Sequence, residues 1–235
     1  MDETAPRGAD VVHRLGVAPV QVAEVSAERL VDDPPEIPWH ITPPPGRIAL
    51  QLRSTVRRVA IGAGLARRSE LVEAVRALDG VPAVVTSPAG GTFIIGGDAW
   101  LGLCAIGVPR PDQPMPLDWM LNSLLAWLRV ALKPWGVVAG SGRVEGAWCP
   151  GFSDIVVDGR KLAGLGFRVT REWVVMRGVL AVRPMSAADL DVLVRCHRLI
   201  GVDVHADTAI SLAEATGIPG MDVAATIAAW RTVAT

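Results

Sequence analysis

The chain lacks an excess of charge of either sign, a paired set of cysteines, and an apolar run long enough to cross a bilayer. Each absence excludes something. With 23 Lys and Arg against 24 Asp and Glu, the formal net charge is −1. There is then no electrostatic case for nucleic acid or an anionic membrane as a partner. The three cysteines cannot all be paired, and the acidic, polar start Met-Asp-Glu-Thr-Ala-Pro is unlike a secretory leader. Both point to a reducing, cytoplasmic setting. The most apolar helical stretch, 117–132, carries Arg129 and is shorter than the roughly 20 residues a span requires. His13, His40, His197 and His205 have no metal-ligand spacing with cysteines or carboxylates, so no metal site is expected. Nor do they set up a Ser-His-Asp order.

What is present is a core. Half of the 235 residues are hydrophobic, enough for one sizeable globular domain. Residues 1–45 read as an extension, with a short helix or strand before a proline-rich stretch from Pro34-Pro35 to Pro43-Pro44-Pro45. Residues 46–235 read as one α+β domain, a single mixed sheet flanked by helices. Strands are expected over 47–52, 58–61, 83–86, 92–95, 100–108, 144–148, 154–157, 161–169 and 173–182. Helices are expected over 67–78, from Leu117 onward on a Leu117, Met120, Leu121, Leu124, Leu125, Leu128 face, from Ser186 to Leu199, and over 223–230. Ser186 and Asp189 are spaced as a capping box.

The segment Asp154-Ile-Val-Val-Asp-Gly-Arg-Lys-Leu-Ala-Gly164 carries most of the functional signal. Asp158-Gly159 supplies the positive φ of a tight hairpin turn, which brings Lys161 to its mouth. Gly164 leaves room for a ligand or another backbone. A preorganised ammonium there could meet a carbonyl or phosphate oxygen, or favour a nearby thiolate. Upstream, Gly90-Gly91-Thr92 between two apolar strands could turn backbone N–H groups toward an anion or carboxyl oxygen. Two cysteines are candidate nucleophiles. Cys149 lies in a Trp-Cys-Pro-Gly loop, and Cys196 in a helix beside His197, with Val192 and Leu199 at helical spacing from it. Cys104, in Gly-Leu-Cys-Ala-Ile, reads as core. Loop exposure favours Cys149, and neither candidate is eliminated.

Gly-Arg-Lys161-Leu-Ala-Gly164, with the Leu-Gly-Phe-Arg168 strand after it, resembles the lysine motif of the biotin ligase, lipoate ligase and octanoyltransferase superfamily. The resemblance implies that superfamily's α+β catalytic domain and transfer of an octanoyl or lipoyl group to a lysine of a lipoyl-domain acceptor protein. Octanoyltransferases of this kind carry the cysteine on a loop before the lysine, where Cys149 stands, or well after it, close to where Cys196 stands; the octanoyltransferase-like flank favours Cys196, and the two candidates tie. Gly90, Gly91, Thr92 and Gly164 would then line the substrate. A transferase would draw on an acyl-carrier protein and need no cofactor. A ligase would use free lipoate or octanoate with ATP and Mg. Pro88-Ala89 stand where lipoate ligases have arginines, Ile94-Ile95 where many members have a histidine, and Arg177 where a His-Gly pair ends the next strand. These departures favour the transferase. The alternative is a catalytically silent relative that binds an acyl chain or a lipoyl domain; biotin transfer is a minor alternative.

Overall fold

The structure, a computed structural model, describes residues 20–22, 43–87, 91–112 and 115–233. The strands fall into two sheets, where one was expected. The larger has seven strands. In spatial order they are β1 (Val20–Val22), β2 (Arg47–Ser54), β6 (Trp100–Val108), β10 (Val174–Ala181), β9 (Arg160–Val169), β8 (Ile155–Val157) and β7 (Gly140–Ser141). All neighbouring pairs are antiparallel except β1 with β2, which run parallel with Val20 opposite Ile48. Part of the N-terminal extension is therefore built into the sheet as an edge strand. The smaller sheet places β3 (Val59–Gly62) between β4 (Val84–Ser87) and β5 (Phe93–Ile95). The fold is α+β, mixed sheets flanked by helices.

Period-2 alternation divides the faces of the large sheet. Ile48, Leu50 and Leu52 of β2, Leu101, Leu103 and Ala105 of β6, and Val174, Met176 and Leu180 of β10 all point into one core. Helix α2 (Pro116–Leu132), with proline in its first turn, covers that face together with α5 (Val223–Trp230). The buried stripe of α2 runs through Trp119, Met120, Leu124, Trp127 and Leu128, while Leu117, expected on that face, is exposed. The two tryptophans rotate the stripe. Trp127 stacks edge-to-face on Trp230 with centroids 5.6 Å apart, which docks α5 on α2.

The opposite face is covered at one end by the small sheet, α1 (Ser69–Arg76) and α3 (Ala187–Arg198), packed over Trp100, Trp148, Val179 and Ala181. The strand expected over 144–148 does not form. Gly146 at φ +73 and Cys149 at φ +44 turn this segment into a loop, because left-handed backbone cannot continue a ladder. Ser186 caps α3 by accepting the Asp189 N–H, but the Asp189 carboxylate pairs with Arg57 at 2.9 Å instead of closing the expected box. A complete box forms at Ser211 and Glu214, opening the short helix α4 (Leu212–Thr216). The Asp158-Gly159 turn is as expected. Both residues have positive φ, +49 and +73, and Val157 pairs with Arg160 across it. No helix among the described residues is long and apolar enough to cross a membrane.

Candidate active site

Lys161 enters β9 directly after this turn and is fully buried, not at the hairpin's surface. Its Nζ donates to the Trp148 carbonyl and the Cys149 carbonyl, both at 2.7 Å, and pairs with Asp154 Oδ2 at 2.9 Å. An ammonium has three protons, so every one is directed. The Trp148 ring lies beneath Nζ at 4.0 Å from its centroid, a cation–π contact strengthened by desolvation. Asp154, 1% exposed, also accepts the Gly151 N–H at 3.0 Å. One buried ion pair thus ties both ends of the 148–154 loop to the sheet. Burial pushes the Lys161 ammonium down and the Asp154 carboxyl up; in each case the partner's charge opposes the shift.

The Pro/Gly setting predicts an exposed Cys149; the loop instead buries it, with each of its groups held. Its carbonyl receives Lys161, its N–H donates to His197 Nε2 at 2.9 Å, and its Sγ accepts the Thr92 N–H at 3.1 Å. A φ of +44 at a non-glycine residue is strained and persists only where neighbours over-determine it. The glycine loop approaches closely from the other side. A Cβ on Gly91, itself at φ +108, would lie 3.0 Å from Cys149 Sγ. Gly91 and Thr92 therefore stand against the thiol; Gly90 lies outside the described residues. The Thr92 N–H fixes the position of the sulfur, and the Lys161 ammonium holds the same residue's carbonyl.

His197 and Asp154 were not candidates from the sequence. His197 is fully buried on α3. Its Nδ1 faces the Leu193 carbonyl at 2.8 Å, so that nitrogen carries the proton and Nε2 is the acceptor for both the Cys149 N–H and the Thr92 hydroxyl, 2.9 Å away. Phe93 packs edge-to-face on the ring. Burial lowers the His197 pKa and keeps the imidazole neutral. The signal for it was present as a histidine one turn after Leu193, but its partners are 105 and 48 residues away in the chain.

The remaining candidates sit differently. Cys196 is fully buried among Leu193, Val192 and the small sheet, and burial pushes its thiol up to about 11. It sits as a core side chain, away from the Lys161 cluster. Cys104 is buried as expected. The room at Gly164 is taken by protein: a Cβ there would meet Trp148 at 2.8 Å and Lys161 Cε at 3.1 Å. Gly164 admits the indole and the lysine stem, not a ligand. Among the described residues no group of three or more His, Cys, Asp or Glu is placed to hold a metal ion.

Comparison with known proteins places this site in context. Residues 57–230 match the family described as the lipoyl protein ligase A/B catalytic domain. An octanoyl-[GcvH]:protein N-octanoyltransferase of Kyrpidia tusciae is 34% identical over 126 residues, 48% of this chain and 43% of that protein. The protein of the same name from Geobacillus kaustophilus is 25% identical over 116 residues, 49% and 41% of the two chains. The matches thus span less than half the length of these relatives. Among solved structures, protein Ta0514 of T. acidophilum with bound lipoic acid superposes with a TM-score of 0.57 at 13% identity, over 91% of this chain and 82% of that one. Lipoate-protein ligase A bound with ATP superposes with a TM-score of 0.55 at 15% identity, over 78% and 70%. At such identities the likeness is one of fold.

Two outcomes follow from the geometry. Lys161→Met leaves Asp154 buried and unpaired and destabilises the fold by about 3–5 kcal/mol in urea unfolding, whereas Lys161→Met with Asp154→Leu together cost clearly less; equal, additive losses would contradict a coupled pair. His197 is held neutral in the fold but charges in the unfolded chain below about pH 6.5. Its contribution is complete above that pH and is lost as pH falls toward the depressed native value. His197→Gln should therefore flatten the decline of unfolding free energy between pH 7 and 5; an unchanged slope would refute the buried neutral imidazole.

Proposed function

The chain belongs to the lipoyl protein ligase A/B catalytic domain family, and from that footing we propose that it transfers an octanoyl or lipoyl group through Cys149. The observation that carries the reading is the held thiol, with Sγ on the Thr92 N–H, the carbonyl on Lys161 and the backbone at φ +44. The Cys149 thiolate attacks the donor's acyl carbonyl and forms a C–S bond. The bond to the donor's sulfur or nitrogen breaks, and that atom departs with a proton. A lysine amine of a lipoyl-domain acceptor then attacks the thioester, forms the amide, gives up a proton and releases the thiolate.

Lys161 is a positioning residue in this scheme. With its three protons on Trp148, Cys149 and Asp154 it fixes the loop and holds positive charge beside the thiol, but has no proton left for a substrate oxygen. That arrangement favours the transferase over the ATP-dependent ligase, in which this lysine would contact an acyl or phosphate oxygen. The likeness to octanoyl-[GcvH]:protein N-octanoyltransferases favours a donor in which octanoyl is already carried on a protein, GcvH in their case. An acyl-carrier protein is the other donor of this class.

The test is intact-mass analysis of an apo lipoyl domain incubated with the protein. One tube holds octanoyl-GcvH, a second octanoyl-acyl-carrier protein, a third octanoate with ATP and Mg. A gain of one octanoyl group in either of the first two is expected, kept by Cys196→Ser and reduced at least 1000-fold by Cys149→Ser, as for loss of a nucleophile. A gain confined to the third tube would make the protein a ligase. No gain in any tube, with the acceptor modified by a control enzyme, would leave a binding protein.

A further inference from the structure

The connection between β7 and β8, residues 142–154, faces two ways. Its middle carries Ala147, Trp148 and Cys149 into the interior, and its ends meet where the Gly142 N–H donates to the Asp154 carbonyl at 3.0 Å. Near that junction stands Phe152, 81% exposed. No other Phe or Trp among the described residues is exposed. Single exposed apolar side chains are ordinary on a protein surface. Phe152 is set apart by how firmly it is held and by where it stands.

The ring projects from the first corner of the turn Gly151–Asp154. That turn is closed by the Asp154 N–H on the Gly151 carbonyl at 3.4 Å and by the Gly151 N–H on the Asp154 carboxylate at 3.0 Å. Lys161 anchors the same carboxylate, so the turn is fastened to the buried ion pair. Backbone already ordered has little freedom left to lose on binding. The Arg143 guanidinium lies over the Phe152 ring, 5.6 Å from its centroid. Arg143 is itself paired, its Nε donating to Glu145 Oε1 at 2.6 Å. An aromatic centre bordered by a charge-balanced polar rim has the composition of a protein–protein contact, in which aromatic and arginine side chains dominate.

The place is next to the thiol. Gly91, which stands against Cys149 Sγ, is exposed, and from Cys149 the chain rises through half-buried Pro150 and Gly151 to Phe152. Three Cα–Cα steps put Phe152 at most about 11 Å from Cys149. A protein that brings an amine to an acyl group on Cys149 covers roughly 800 Å² of this surface, a disc about 16 Å in radius. Phe152 falls inside that disc.

We propose that Phe152, with the Arg143–Glu145 pair beside it, is the docking contact for the lipoyl domain that accepts the acyl group. The matching surface of that domain is an apolar patch beside its acceptor lysine, edged by polar groups that meet the Arg143–Glu145 rim. The choice of partner rests on the acyl-transfer reading. The contact itself makes and breaks no covalent bond.

The experiment titrates an apo lipoyl domain with the whole chain, with no acyl donor present, and reads Kd from the domain's NMR shifts. Phe152→Ser should weaken binding about tenfold or more, as for a truncated aromatic hot spot, and Phe152→Leu should recover most of it. Val130→Ser, at another exposed apolar position, on α2, should leave Kd within about twofold. Urea unfolding of Phe152→Ser should match wild type, because the ring is exposed. The proposal is overturned if wild type does not bind the domain, if Phe152→Ser binds as wild type does, or if Val130→Ser weakens binding as much. Self-association of wild type that Phe152→Ser abolishes, with affinity for the domain unchanged, would also overturn it and assign the surface to a second copy. Docking and transfer fail separately. A chain that binds through Phe152 and transfers nothing keeps the contact and loses the chemistry. A chain that transfers octanoyl with an unchanged KM for the domain in Phe152→Ser keeps the chemistry and loses the contact.

Discussion

A buried ammonium sets the terms for this molecule. Lys161 has no exposed surface, and an ion so placed is tolerated only when its protons and charge are met. Two carbonyls, one carboxylate and one indole face meet them, and all four come from the 148–154 loop. The loop cannot leave without stranding the charge, so the charge fixes the loop. Gly164 takes part by having no side chain, which lets the Trp148 ring lie against β9. The Trp100 ring then backs Trp148 edge-to-face at 5.2 Å. Held this way, Cys149 keeps a backbone conformation it would not adopt by itself.

The second support comes from elements remote in the chain. His197 on α3 and Thr92 at the end of the glycine loop share a hydrogen bond, and each holds a different atom of Cys149. The thiol therefore sits where the two sheets, the loop and α3 meet. As the proposed nucleophile, a thiol fixed from several elements would need little reorganisation at the moment of reaction, which is how preorganisation lowers a barrier. The same separation of tasks explains why a lysine with no free proton can still matter. In the proposed transfer it would act on the acyl carbon only through the residue it positions.

Legibility in the sequence followed the range of the interactions. The Asp158-Gly159 hairpin and the helix Val223–Trp230 were readable because turn chemistry and apolar spacing are local. The division into two sheets was not, since strands of three or four residues such as β3 and β5 choose partners by tertiary packing. The 144–148 segment looks like a strand by composition and is a loop because Gly146 and Cys149 are left-handed. At the site, Lys161, Gly91, Thr92 and Cys149 were all visible as candidates, through a motif whose residues are close in the chain. The burial of Lys161, the service of Gly164 to Trp148, and the role of His197 depend on contacts between distant segments. The tie between Cys149 and Cys196 was of this kind as well. A cysteine at a helix i−4/i+3 apolar spacing and one in a Pro/Gly loop read alike as candidates in sequence; in the fold both are buried, the first among apolar side chains and the second held by Thr92, His197 and Lys161.

The most direct measurement is the covalent state of the protein itself. After brief exposure to an octanoyl thioester, the intact chain should gain one octanoyl group, and peptide mapping should find it on Cys149 as a thioester that neutral hydroxylamine removes. Modification on Cys104 or Cys196, or a donor that acylates a competent acceptor while the chain remains unmodified at every cysteine and Cys149→Ser stays active, would contradict the account.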